Sequence, residues 1–269
     1  MCQTAKPEIE IPEGMIFVTS EKHYREKRLA AEVLDVSLER TALGRLITAR
    51  AKMSGKLLLS GPSDTAGLKA LIDLLKSRGV GTTIVDGALS RLSLASPAVT
   101  EAMILATGAA VAGKIPQLIG IEEIEKALRT RLAPLTQGVW AVSDGGEPID
   151  LELPSVLMLE RSGENLFRHG RRIYATGIVT DKLFQLLRTQ QREVELIIRD
   201  FTRVFASPEA FYAFLRRGHR IRVVHRSRLL AVTVNPTAPS GLVLDSRQLC
   251  EAMQEALQIP VYDVKKMPE

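Results

Sequence analysis

Apolar runs that stop at a polar residue, most of them followed by glycine, set the strongest constraint on this chain. Thr82-Thr83-Ile84-Val85 ends in Asp86-Gly87, Met103-Ile104-Leu105-Ala106 in Thr107-Gly108, and Arg172-Ile173-Tyr174-Ala175 in Thr176-Gly177. Leu230-Ala231-Val232-Thr233-Val234 runs into Asn235-Pro236-Thr237. A short apolar run bounded by turn residues reads as a buried strand. In an open parallel sheet, ligands sit outside the carboxyl ends of the strands. These tips therefore predict an α/β ligand-binding domain whose polar ends share one pocket.

The periodicity between the tips fills in the order of elements. Strands are predicted over 15–19, 45–51 and 56–59, with a helix over 21–38. A loop over 60–65 leads into a helix over 66–78, capped by Asp64 or Thr65, and then a strand over 82–86. That strand–loop–helix–turn–strand unit is the signature of a parallel crossover. Next come a short helix over 98–102, a strand from 103, a helix over 121–131, and strands over 139–142 and 156–159. The Gly-, Pro- and acid-rich stretch 143–154 reads as a surface connection. A helix over 180–191, a strand over 195–198 and a helix from Pro208 to Arg216 follow, proline suiting a first helical turn. Two adjacent strands over 221–224 and 229–234, a helix over 246–257 and a strand over 261–264 complete the chain. The expected architecture is one α/β domain over 1–269, weakly subdivided near 145. Its mostly parallel open sheet carries helices on both faces, as in P-loop NTPases.

Composition narrows the class. The 269 residues are 45% hydrophobic and 25% charged, enough for a sizeable core. Aromatics are only 4%, which argues for an aliphatic core and against a stacking platform for single-stranded nucleic acid. The net charge of +5 gathers in Arg216-Arg217-Gly218-His219-Arg220-Ile221-Arg222 and Arg226-Ser227-Arg228. That segment reads as a solvated rim, an acidic-partner surface or a phosphate contact. No nucleic-acid motif accompanies it. Cys2 and Cys250 lie outside any metal-ligand spacing, and no apolar stretch reaches the ~18 residues of a membrane span. The expectation is a cytoplasmic protein with no membrane contact; homo-oligomerisation stays open.

Candidate chemistry sits on the tips. In Gly61-Pro62-Ser63-Asp64-Thr65, helix-terminal N–H groups could hold an anion through Gly61, Ser63 and Thr65, or Asp64 could simply cap the helix. Asp86 could hold Mg²⁺ through water beside a nucleotide, with Gly87 giving room; the alternative is a loop-capping carboxylate. Arg91 could pair with Asp86 or reach a ligand anion. Thr107, Gly108 and Thr176 offer hydroxyls and backbone freedom. Asn235 and Thr237 sit on a stiff loop with two prolines, Pro236 and Pro239. No Gly-Lys-Ser/Thr, Gly-x-Ser-x-Gly or His-Glu-x-x-His motif occurs, so Walker A, hydrolase-elbow and zinc-protease chemistry lack a signature. The dispersed His23, His169, His219 and His225 read as surface residues.

The run from Val85 to Ala109 (VDGALSRLSLASPAVTEAMILATGA) resembles a bacterial family found with lysine aminomutases, the reactivase subunit of the cobalamin-dependent enzyme. Thr41 to Arg50, Gly61-Pro62-Ser63 and Val232 to Gly241 fit the same pattern. Family members open with a P-loop strand and a Gly-Lys-Thr, which this sequence lacks. The resemblance therefore implies a truncated start, or a branch that lost nucleotide hydrolysis. It further implies an accessory protein that reactivates an aminomutase together with an ATPase subunit. The competing reading from the residues is an independent nucleotide- or phosphate-binding α/β enzyme. No catalytic residue carries over from the family.

Overall fold

The computed structural model describes residues 9–86, 96–108, 121–156, 158, 166–237, 241 and 243–266. The chain divides into two compact units, Met1–Ala88 and Leu89–Glu269, so residue 145 lies inside the second.

The first unit is built from antiparallel strands. β1 (Ile9–Ile11), β2 (Ile16–Ser20), α1 (Glu21–Glu26), β3 (Ala31–Thr41), β4 (Gly44–Ala51), β5 (Gly55–Leu57) and α2 (Thr65–Ser77) follow in order. The strand order is β2-β4-β3 in one sheet and β1-β5 in another. A two-residue link joins Thr41 to Gly44, whose φ of +95° is a conformation glycine adopts without strain. Ile11, Phe17, Leu29, Ile47, Ala49, Ala51 and Leu57 form the core.

Two expectations fail here. The helix expected over 21–38 stops at Glu26, and 31–41 is the long strand β3. The apolar spacing of Leu29, Val33 and Leu34 mimics a helix, but pairing with β4 decides the outcome. Residues 82–86 form no strand, and Ile84 is 82% exposed. An apolar run becomes a strand only where a neighbour takes its hydrogen bonds.

The second unit is mixed α/β, with its parallel strands spread over several sheets rather than one. Its elements are β6 (Met103–Gly108), β7 (Glu122–Glu123), α3 (Lys126–Leu132), β8 (Val139–Val142), β9 (Pro148–Leu153), β10 (Arg172–Ala175), β11 (Val179–Thr180), α4 (Asp181–Arg188), β12 (Glu195–Ile198), β13 (Val204–Phe205), α5 (Pro208–Arg216), β14 (Arg220–Val223), β15 (Leu229–Asn235), α6 (Ser246–Leu257) and β16 (Val261–Asp263). A six-stranded sheet runs β7-β14-β12-β10-β8-β9, parallel from β7 to β10 and antiparallel beyond. A separate three-stranded parallel sheet runs β16-β15-β6, and β11 pairs with β13.

The strands β14 and β15, expected as neighbours, thus belong to different sheets. β9 lies in the stretch expected to be a surface connection, while Val156 and Met158 sit in a short helical turn instead of a strand. Residues 97–99 form only a turn, and the helix expected over 121–131 is replaced by β7 and the shorter α3.

The main core packs α4 and α5 on one face of the large sheet, through Leu183, Phe184, Leu187, Phe211 and Phe214. On the other face, Leu128 and Leu132 of α3 meet Val142, Tyr174 and Ile197. α5 starts with Pro208 after the N-cap Ser207, whose hydroxyl accepts from the Ala210 amide.

Candidate functional site

The predicted site residues fall in separate places. In the first unit, Asp64 caps α2, its Oδ1 accepting from the Gly67 amide at 2.8 Å. A carboxylate thus occupies the helix end that Gly61, Ser63 and Thr65 would offer to an anion, and like charge opposes one there. Asp86 is exposed on irregular chain. Gly87 and Arg91 lie outside the described residues.

In the second unit, parallel pairing sets Thr107 beside Val234 and Gly108 beside Asn235. These are the predicted tips that the fold brings side by side. Their polar groups are largely turned inward. Asn235 Oδ1 accepts from the Thr237 amide at 3.1 Å, and Thr237 forms an antiparallel bridge with Val243. The Thr107 hydroxyl is shielded from water and lacks a hydrogen-bond partner.

On the same face, β16 adds Asp263, in register with Val234. Its carboxylate accepts from the Ser246 hydroxyl and from the Lys265 amide at 2.8 Å. The Ser246 bond, above all, holds the Asp263 carboxyl below its usual range. Sequence reasoning missed Asp263 and Ser246; the polar residue interrupting Val261-Tyr262-Asp263-Val264 was the available signal.

Thr176 ends β10 in the other sheet. Only 5% exposed, it donates its hydroxyl to the Gly138 carbonyl at 2.8 Å and so clasps the turn before β8.

A further cluster occupies the carboxyl edge of the large sheet. Beyond β12, Asp200 is 2% exposed. Its Oδ2 accepts from the Ser96 hydroxyl at 2.8 Å, and its Oδ1 from the Thr202 amide at 2.9 Å and from the Thr202 hydroxyl. Tyr174 Oη and Arg199 Nη1 both donate to the Leu135 carbonyl, each at 3.0 Å. One strand over, the His225 amide donates to the Arg199 carbonyl at 2.9 Å. Burial first, then the Arg199 charge, pushes the His225 imidazole down, while burial pushes the Tyr174 phenol up. The sequence held a signal for this edge as well: Leu196-Ile197-Ile198-Arg199-Asp200 is an apolar run with a polar end, lacking only the glycine.

The basic segment is partly neutralised within the sheet. Arg222 Nη1 lies 2.7 Å from Glu125 and 3.5 Å from Glu195, which also takes Arg172 at 3.1 Å. Arg220 pairs with Glu193 at 2.7 Å. Two open grooves lie elsewhere, one lined by Glu21, Lys22, Arg25, Glu26 and Leu43, the other by residues of α6 and the turn after it. Among the described residues, no group of three or more His, Cys, Asp or Glu is placed to hold a metal, and no helix is long and apolar enough to cross a membrane. Compared with known proteins, the chain matches no family model, no curated protein and no solved structure.

Proposed function

We propose that this chain is a cytoplasmic accessory protein that restores a cobalamin-dependent amino-acid aminomutase, working beside an ATPase partner. The run from Val85 to Ala109 supports the choice of partner and, with it, descent from a P-loop-like fold. The structural observation that carries a partner-binding role is the sheet β16-β15-β6. Parallel sheets are ordinarily covered on both faces. Here α6 covers one face through Leu249, Cys250, Met253 and Leu257. The other face holds Ile104 at 62% and Tyr262 at 47% exposure, with Ala106 also exposed and in register with Thr233. An apolar sheet face of this kind fits a protein surface better than a small polar ligand. The strand-end groups Asn235 and Thr176, meanwhile, are committed to internal bonds.

Exchange of a damaged cofactor requires a closed enzyme to open. A protein that binds the open form more tightly than the closed one shifts that equilibrium; near-complete reversal needs a preference of about 10⁴-fold. Nucleotide hydrolysis by the partner would then reset the cycle. The test is recovery of activity by an inactivated aminomutase on adding the chain, the ATPase, ATP and fresh cobalamin cofactor. Ile104→Asp and Tyr262→Asp should each weaken association and recovery together. A chain that neither associates with nor reactivates the enzyme rules the reading out.

A further inference from the structure

The first unit brings a serine and a histidine into contact from positions 37 residues apart in the chain. His23 Nδ1 lies 2.6 Å from Ser60 Oγ, and both side chains are only partly buried. Thr19 and Ser20, each 0% exposed, end β2 and hold one partner apiece. The Thr19 hydroxyl donates to the Leu58 carbonyl at 2.6 Å, which anchors the chain two residues before Ser60. The Ser20 hydroxyl accepts from the His23 amide at 3.4 Å and so caps α1. Ser60 sits on the connection between β5 and α2, and loops held by a rigid scaffold are where reactive groups concentrate. A Cβ added to Gly61 would meet nothing within 4 Å, so open space adjoins the Ser60 position.

A serine hydroxyl is a weak nucleophile until a base takes its proton, and the structural signature of an activated one is a base within about 2.6–3.2 Å. With its ring proton on Nε2, His23 presents Nδ1 as that base. The chain on either side is already tied to β2 through Thr19 and Ser20, so the Ser60–His23 bond adds little anchoring of its own. We infer that Ser60 and His23 form a nucleophile and general-base pair that cleaves small carboxylic esters. Ser60 Oγ bonds to the acyl carbon while its proton passes to His23 Nδ1. The bond from the acyl carbon to the alcohol oxygen breaks, and the imidazolium returns that proton to the departing alcohol. Water then attacks the acyl-serine, giving a proton to His23 Nδ1; the carboxylic acid leaves, and Ser60 Oγ recovers the proton. The sum is ester plus water to acid plus alcohol, with no other reactant. The pair stands apart from the partner role and uses none of the residues of the open sheet face.

Reaction of the full chain with p-nitrophenyl acetate and with a fluorophosphonate, followed by peptide mass mapping, tests it. The wild-type chain should release p-nitrophenolate and carry the acyl or phosphonyl adduct on the peptide that contains Ser60. Ser60→Ala should lose both. His23→Gln, which can still hydrogen-bond Ser60 but cannot take its proton, should slow acylation by about 10²–10⁴-fold. Ser77→Ala, which removes an exposed hydroxyl of α2, should react as the wild type does. A bond that only straps the loop to α1 would lower the melting temperature of these variants while giving no adduct at all. Thermal melting checks the fold of each variant, and the adduct map of the wild-type chain stands even where a variant does not fold. Absence of an adduct on Ser60, modification confined to another residue, or wild-type acylation in folded His23→Gln would overturn the inference.

Discussion

Ser96 donates its hydroxyl hydrogen to Asp200 Oδ2 at 2.8 Å, linking groups 104 residues apart. Both are buried, Ser96 at 6% and Asp200 at 2% exposure. Removing the hydroxyl leaves an acceptor of a buried carboxyl group without its partner. Ser96→Ala should cost about 1–3 kcal/mol, read as a lower denaturation midpoint at unchanged slope.

His219 is a pH-dependent weak point. It is 4% exposed, its ring lies 4.7 Å from that of Phe214, and its Nδ1 accepts from the Val194 amide at 3.2 Å. Burial holds its imidazole below the usual range, the nearby Arg217 acting in the same direction. The folded state thus binds its proton less readily than the unfolded state, whose histidine titrates near 6.5. The neutral form's stability is complete above about pH 6.5 and declines as the pH falls below it. Denaturation midpoints at about pH 7.5 and about pH 5.5 should differ, and His219→Gln should shrink that difference.

Gly55 opens β5 in close contact with the chain before β3. A Cβ there would meet the Arg28 carbonyl oxygen at 2.3 Å and Leu29 Cβ at 2.7 Å. Backbone must move, so Gly55→Ala should destabilise the first unit by roughly 1–3 kcal/mol. At Gly81 a Cβ would meet nothing within 4 Å, and Gly81→Ala should stay within about 0.5 kcal/mol of wild type. Denaturant titration of the two variants side by side checks the contrast.

Phe184 of α4 lies 5.9 Å from Phe211 and 5.3 Å from Phe214 of α5, ring centre to ring centre. Few aromatics serve this chain, and these join two helices to the sheet. Phe184→Ala should cost roughly 3–5 kcal/mol, while Phe184→Leu should recover much of it; thermal melting distinguishes them.

What was legible in the sequence follows from how local its cause is. α6 spans Ser246–Leu257, as the spacing predicts, because its apolar stripe and its Asp245 cap are local signals. β6 and β15 were legible as apolar runs, yet nothing in either run specifies the other as its neighbour. The run 82–86 had the same local form and failed, since pairing is not encoded within a run. β3 was misread because Leu29, Val33 and Leu34 satisfy helix spacing while β4 supplies the bonds that hold a strand. At the strand ends, the sequence marked Thr176 as a polar tip but gave no sign that Gly138 accepts its hydroxyl hydrogen. Asp200 went unmarked because Ser96, the residue that gives it meaning, is remote in the chain.

The sheet in which Met103 pairs with Leu229 also sets the order in which this protein can be completed. β6 leaves the ribosome long before β15 and β16, so its hydrogen-bonding edges stay unfilled while most of the second unit is synthesised. Long-range parallel pairing is slow, because loop closure precedes any gain from contacts. The segment Met103-Ile104-Leu105-Ala106 is therefore exposed to other chains during that interval. Slower synthesis at low temperature should raise the soluble yield, and truncation before Leu229 should leave β6 without its partner and drive the product into aggregates.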